Sequence, residues 1–364
     1  MKKSYLVEGY RFVVAISIIV YHTFNIWGMA TSLRLGVEFF FVLSGFLLMG
    51  HPEKHPDESI PRLMMGKLAH VYPYIVMSFI ASSVAVSIIK DQNIAHLMYQ
   101  QSHELLLLTD AFKGIKGITW MNGSGQLWFL VTQLWATLIL SWLIKNYENA
   151  YRSIGAVLLA VGGYVAIIRG TGVLSVEVYW TLGENKIFMP FLLLRALSGM
   201  ACGTLVYMSY TKLQKYTFTD FAKAGGRGLS ILCMGTALWL SARTKEQCFN
   251  AYSWRALLVV ALYMAAILLA FTFAQGIPKG NRAKKVLAFL GRMSLPIYVS
   301  HSLVLYIMRH TIEMPYFRRR WLLVAFAGTA VVSVLLELCV KLLRKGWAAF
   351  MVWLKKMCIA EPIE

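Results

Sequence analysis

The sequence predicts an all-α, polytopic membrane protein of about ten transmembrane helices, and three observations carry that prediction. Hydrophobic residues make up 58% of the 364 and charged residues 15%, with a mean hydropathy of +0.59. Such a composition needs lipid rather than water as its solvent. Apolar runs of the length that crosses a bilayer, roughly 20 residues, recur along the whole chain. The charges gather in the short connections between them.

Taken in order, the spans lie near 10–29, 33–50, 70–89, 126–144, 152–169, 187–209, 227–243, 254–275, 286–308 and 321–342. The fifth and seventh are short, with apolar cores of about 15 residues, and Gly162 and Gly163 weaken the fifth further. The longest connection, 90–125, contains AHLMYQQSHELLLL, which reads as a helix lying on the membrane surface. The end of the chain, with KGWAAFMVWLKKM, has the same character. The expected organisation is a transmembrane domain over 1–345 and a short basic amphipathic tail over 346–364. No second soluble domain, internal repeat or low-complexity linker is expected.

Lys and Arg set orientation. With the N-terminus inside, the inner segments carry 20 of them and the outer ones 13, the latter including Arg318, Arg319 and Arg320. Both termini are therefore expected in the cytoplasm. The net charge of +19 does not point to nucleic acid, because it is scattered over many loops. It fits topology control and contact with anionic headgroups of the lipid bilayer. Lys2 and Lys3 before an apolar run resemble a signal peptide, but Arg11 and His22 interrupt the would-be core and no clear cleavage site follows. Cys202, Cys233, Cys248, Cys339 and Cys358 show no C-x-x-C spacing, so neither a disulfide framework nor a metal site is indicated.

The informative residues are ionisable ones inside the spans. A charge near the bilayer centre costs about 2.5–3.5 kcal/mol even on lenient scales, so it usually faces the protein interior and serves a function. The first hairpin has three: Arg11, His22 and Glu38. Arg11 and His22 are eleven residues apart, about three turns, and so share a face roughly 16 Å apart along the axis. His22 is expected about 9 Å below the outer end of its helix and Glu38 at a similar depth. The same reckoning brings Gln133, Arg195 and His301 to that layer. A second set, Arg11, Arg62, Lys67, His70 and Arg292, lies at the inner rim, where cationic side chains grip phosphorylated ligands. The chain thus suggests a tunnel with a basic cytoplasmic mouth and a His/Glu chamber beyond it.

Six segments in this order resemble the acyltransferase-3 family of integral-membrane O-acyltransferases, which includes bacterial O-antigen and exopolysaccharide O-acetyltransferases. They are the Arg11-x10-His22 pair, LGVEFFFVLSGFLL, KLAHVYPY, GQLWFL, RALSGMACG and LGRMSLPIYVSHS. The resemblance covers nearly the whole chain. It implies a bacterial inner-membrane enzyme moving an acyl group, usually acetyl, from cytoplasmic acetyl-CoA to a hydroxyl of a cell-surface polysaccharide or undecaprenyl-linked sugar. Three positions depart from the family's pattern: His70 stands where Arg is common, Gln133 where Glu is common, and Leu295 where an aromatic residue is common. Larger relatives often append an extracytoplasmic hydrolase-like domain, so a separate extracytoplasmic transferase is a conceivable partner.

Transfer to a hydroxyl needs a base, and imidazole serves near neutral pH. His22 is the expected base, Glu38 its orienting carboxylate by analogy with hydrolase triads, and His301 a second catalytic histidine. A covalent acyl-His intermediate remains open beside direct transfer. Arg11, Arg62, Lys67 and Arg292 are expected to hold the donor, and Trp128, Gln133 and Arg195 the acceptor. Against each stands a simpler role: a buried hydrogen bond for either histidine, an ion pair with Arg195 for Glu38, an interface anchor for Trp128, topology control for the rim cations. Ser44 reads as a close helix contact rather than a nucleophile. The rival functions are a transporter, which paired broken helices would favour, and a non-catalytic scaffold in a glycan-assembly complex.

Overall fold

The structure, a computed structural model, describes residues 4–26, 31–100, 102, 105–107, 126–171, 180–182, 185–187, 189–243, 254–273, 282–312 and 318–358. The elements in chain order are α1 (Tyr5–Ile26), α2 (Gly36–Met49), α3 (Ile60–Lys90), α4 (Ile94–Gln100), α5 (Leu127–Ala150) and α6 (Gly163–Thr171). A two-stranded hairpin follows, β1 (Trp180–Leu182) and β2 (Asn185–Ile187), and then α7 (Met189–Leu213), α8 (Asp220–Arg243), α9 (Trp254–Phe273), α10 (Arg282–Thr311) and α11 (Arg318–Cys358). Every expected span falls on a helix. The expected surface helix is α4 in its first part; 108–125 lies outside the described residues, as do Cys248 and 359–364.

Six described helices are long and apolar enough to cross a membrane: α1, α3, α5, α7, α9 and α11. Helices α8 and α10 cover their expected spans, whereas the second and fifth spans depart from expectation for identifiable reasons. At 14 residues, α2 is only about 21 Å long, yet it is buried along nearly its whole surface and sits inside the protein rather than against lipid. The expected fifth span is irregular. Two π-helical turns, Tyr151–Gly155 and Leu158–Gly162, lead into the nine-residue α6. Gly163 then lies so close to α7 that any Cβ there would collide with Ser198. Nothing breaks α11 near 345; it continues to Cys358 as one helix of 41 residues.

Helices gain little from the hydrophobic effect when the surrounding solvent is itself apolar, so close packing and internal polar bonds must hold them. The α2–α7 pair shows this. A Cβ on Gly45 would collide with the Met200 carbonyl, and one on Gly203 with the Val42 carbonyl. The two backbones therefore touch, running parallel, and this contact fixes the centre of the fold. Phe46, fully buried, stacks on Phe271 of α9 with ring centroids 4.3 Å apart.

Two further contacts set depth. Gly36 opens α2 against Val14, Ser17 and Ile18 of α1, so α2 starts part-way along α1 and descends from there. On the other side, Gly291 of α10 leaves room for the Glu8 side chain and Gly9 packs on Leu287, which aligns α1 and α10 in parallel.

Candidate active site

The α1–α10 alignment brings two histidines together. The His22 and His301 rings have centroids 5.0 Å apart at an interplanar angle of 39°. His301 is fully buried. Its Nδ1 lies 2.6 Å from the Tyr298 carbonyl. A carbonyl only accepts, so Nδ1 carries the proton and Nε2 presents a lone pair, with the Ser302 hydroxyl 3.4 Å away. Tyr21 meets His22 edge-on at 4.9 Å. Among the described residues no side chain or carbonyl bonds to the His22 ring.

Glu38 does not join them. Its Oε1 accepts from Arg195 Nε at 2.5 Å and its Oε2 from the Tyr164 hydroxyl, with both charged side chains almost wholly enclosed. The Arg195 guanidinium lies over Trp128, 5.6 Å from the ring centroid. The reason is the α2–α7 contact. Gly199 stands beside Phe41, Tyr164 and Glu38, where an added Cβ would come within 2.7 Å of Phe41 and 3.3 Å of Glu38 Oε2. That close approach drops Arg195 onto the carboxylate. The expectation that Glu38 orients His22 is thereby corrected: the carboxylate is already saturated, and the start of α2 against Val14 and Ile18 carries it away from His22.

Between the two centres stands an aromatic partition. Tyr298, 5.6 Å from His301, faces Phe129 at 5.4 Å and Phe40 at 6.5 Å, and Phe41 lies between Phe129 at 4.8 Å and Trp128 at 6.4 Å. The start of α5 is tied to α10 by Gln126, whose side chain donates to the Val299 carbonyl while its own carbonyl accepts from Tyr298 at 2.9 Å. Gln126 was overlooked in the sequence reading, although it sits beside Trp128 within GQLWFL.

Gln133 belongs elsewhere. Its amide donates to Ser44, six residues along α2 from Glu38 and so about 9 Å nearer the other end. The single layer expected from depth reckoning is therefore split, because α2 starts deeper than a full span would. Gln133 lines a cavity of about 380 Å³ with His51, Glu58, Lys67 and His70. A second cavity of about 230 Å³ shares His51 and Glu58. These two, bonded to each other in the α2–α3 connection, also went unnoticed in the sequence. The neighbouring His51 holds the Glu58 carboxyl below the usual carboxylate range.

Of the four cations expected to grip a donor, Lys67 alone lines the cavity. Arg11 is paired with Glu8 at 3.0 Å, though its charge reaches His70. Arg62 and Arg292 are exposed, and the Arg62 backbone N–H is capped by Ser59 at 3.4 Å. On the same side of the bundle Arg344 of α11 donates to the His70 carbonyl at 2.9 Å.

Several helices long and apolar enough to cross a membrane, with an imidazole pair between two of the bundle's helices and a cavity bearing Lys67 on one side, define a multi-pass membrane protein. The family described as an acyltransferase domain, acyltransferase-3, matches residues 5–338. The chain belongs to that family and is a membrane acyltransferase. Neither the curated proteins nor the solved structures gave a match.

Proposed function

We propose that the protein is an O-acyltransferase that moves an acyl group, acetyl in the simplest case, from acyl-CoA to a hydroxyl of a cell-surface polysaccharide or lipid-linked sugar. The observation that carries this reading is the contact of half-buried His22 with fully buried His301, whose tautomer is set. In this reading the rim bearing Lys67, His70 and Arg344 faces the cytoplasm of a bacterial inner membrane, and both termini lie there.

The donor's phosphates meet Lys67 and His70 at the cavity mouth, and its thioester reaches towards the histidines. His22, whose ring has no hydrogen-bond partner among the described residues, takes the proton of the acceptor hydroxyl as that oxygen attacks the thioester carbonyl. The C–S bond breaks, the thiolate leaves and is protonated, and the ester remains on the acceptor. His301, holding its Nδ1 proton on Tyr298, offers Nε2 to stabilise the imidazolium beside it. Glu38 and Arg195 brace Trp128 and the aromatic partition. If the acyl group first rests on an imidazole, the same geometry serves, with the hydroxyl attacking the acyl-imidazole instead.

The test is acyl transfer by the full chain in proteoliposomes, with labelled acetyl-CoA and membrane extracts as acceptor. Wild type should form alkali-labile ester, and His22→Ala should lose at least about 100-fold, the usual contribution of a positioned base. Ester formation by His22→Ala at the wild-type rate would overturn the assignment. Passage of a solute without any ester would favour the transporter.

A further inference from the structure

Most hydroxyls inside the bundle turn back onto a carbonyl one turn earlier: Thr23 onto Ile19, Thr132 onto Trp128, Thr137 onto Gln133, Ser198 onto Leu194, Ser241 onto Ala237. Ser78, Ser82 and Ser83 on α3 and Thr329 on α11 do not. They are 3%, 0%, 0% and 1% exposed, and among the described residues their buried oxygens have no partner. Leaving one such group unsatisfied costs about 1–3 kcal/mol. Where several share one place, ordered water is the usual partner.

Ser78, Ser82 and Thr329 share one place. Tyr74, Ser78, Ser82 and Val86 follow at four-residue steps along one face of α3, and Ala325, Thr329, Ser333 and Glu337 do the same on α11. The faces meet where the Tyr74 hydroxyl donates to Glu337. Because the helices run antiparallel, Ser78 stands at the height of Ser333 and Ser82 at that of Thr329. The third wall is α10. Its Ser300 lies 2.8 Å from Ser333, and Tyr306, whose hydroxyl also lacks a partner among the described residues, packs with Val86 and Leu97. Hydroxyls thus line a seam of about 18 Å between three helices. At one end Glu337, one-fifth exposed, pairs with Lys341 at 3.3 Å; His301, next to Ser300 in the chain, stands near the height of Ser78.

We propose that this seam holds a file of water and that Glu337 is a relay residue carrying protons between the histidine pair and the basic rim. The relay rests on the acyl-transfer reading. As the acceptor's O–H bond breaks and its oxygen bonds the acyl carbon, the proton goes to imidazole and the C–S electron pair leaves with the thiolate. The imidazolium then gives up its extra proton along the water file to Glu337 and the solvent at the rim. The thiolate takes one proton from that solvent, so the books of charge close. The ionisable groups around Glu337 are Tyr74 and His70 on α3 and Lys341 and Arg344 on α11, with Arg11 of α1 acting on His70.

Hydroxyl-radical footprinting of the full chain in nanodiscs tests the water. Tyr74 and Tyr306 should be labelled well above Tyr151, which is buried between other helices with its hydroxyl bonded to Thr204, and Ser78→Val with Ser82→Val should remove the excess. Labelling at the Tyr151 level in the wild type means a dry seam and overturns the proposal, whatever reaction the protein performs. In the transfer assay Glu337→Gln should lower turnover about tenfold and move the pH profile, with Glu337→Asp recovering most of both. An unchanged profile in Glu337→Gln, beside an inactive His22→Ala, removes the relay and leaves acyl transfer standing. If the wild type makes no ester at all, the relay falls with that reading and the footprint alone decides the seam.

Discussion

The two buried polar centres of this protein are built on opposite plans. Around Glu38 every charge is answered: Arg195 and Tyr164 bond the carboxylate, and Trp128 covers the guanidinium. Around His22 the described residues offer ring contacts and no hydrogen bond: its ring meets His301 and Tyr21. A saturated buried pair gives rigidity, since breaking it strands a charge. An unsaturated imidazole beside one with a fixed tautomer is costly to bury and free to exchange a proton. The difference separates what holds the bundle from what can act in it.

That contrast can be broken most strongly at Glu38. Replacing it by Ala leaves Arg195 buried and unpaired and should cost about 3–5 kcal/mol, read as unfolding in detergent, while Glu38→Leu combined with Arg195→Met should recover most of it. His22→Ala should change the same measurement by no more than about 1 kcal/mol, as expected of a half-buried side chain with no hydrogen-bond partner among the described residues. A Glu38→Ala protein that folds normally and is inactive would return Glu38 to the catalytic group.

Gly45→Ala tests the backbone contact that creates the saturated centre. Its methyl group would meet the Met200 carbonyl, and overpacking of this kind costs about 1–3 kcal/mol. Wild-type stability in that variant would mean that α2 and α7 can part without loss.

A smaller effect is expected at the basic rim. Lys67→Gln should raise the apparent KM for the donor about tenfold, worth about 1.4 kcal/mol, and Arg62→Gln should leave it unchanged, because Lys67 alone of the two lines the cavity. Equal effects would mean that the donor binds over the outer rim. The smallest concerns Glu58. Its carboxyl ionises more readily in the folded protein than in the unfolded chain, so its contact with His51 adds stability above the ordinary carboxylate range and loses it as pH falls through the lowered folded value. Glu58→Gln should therefore be slightly less stable than wild type near neutrality, and the gap should close in acid. A gap independent of pH would dissociate the pair from that contact.

The sequence made the helices legible because a bilayer imposes one length and one polarity on whatever crosses it. The apolar runs fall on helical segments, six of them long and apolar enough to span, and of the costly residues His301, Glu38 and Arg195 are buried while His22 is half-buried. It also carried the family, through motifs whose order survives translation into structure. Depth was less legible. Reckoning residues from helix ends assumes full spans, and α2 is a short helix that starts against the middle of α1. Hence Glu38 parted from His22, and Gln133 from both.

What the sequence by itself determined, then, is which residues are too expensive to bury without purpose, since that cost belongs to the side chain and the solvent. Which of them face one another was decided only in three dimensions. Glycines at 45 and 203 let α2 and α7 approach to backbone contact, and those at 199 and 291 make room for side chains of the facing helix; a glycine's effect depends on what stands opposite it. Partner choice for Glu38 and the meeting of His22 with His301 arise from those approaches, and the hydroxyl face of α3, α10 and α11 likewise joins residues distant in the chain.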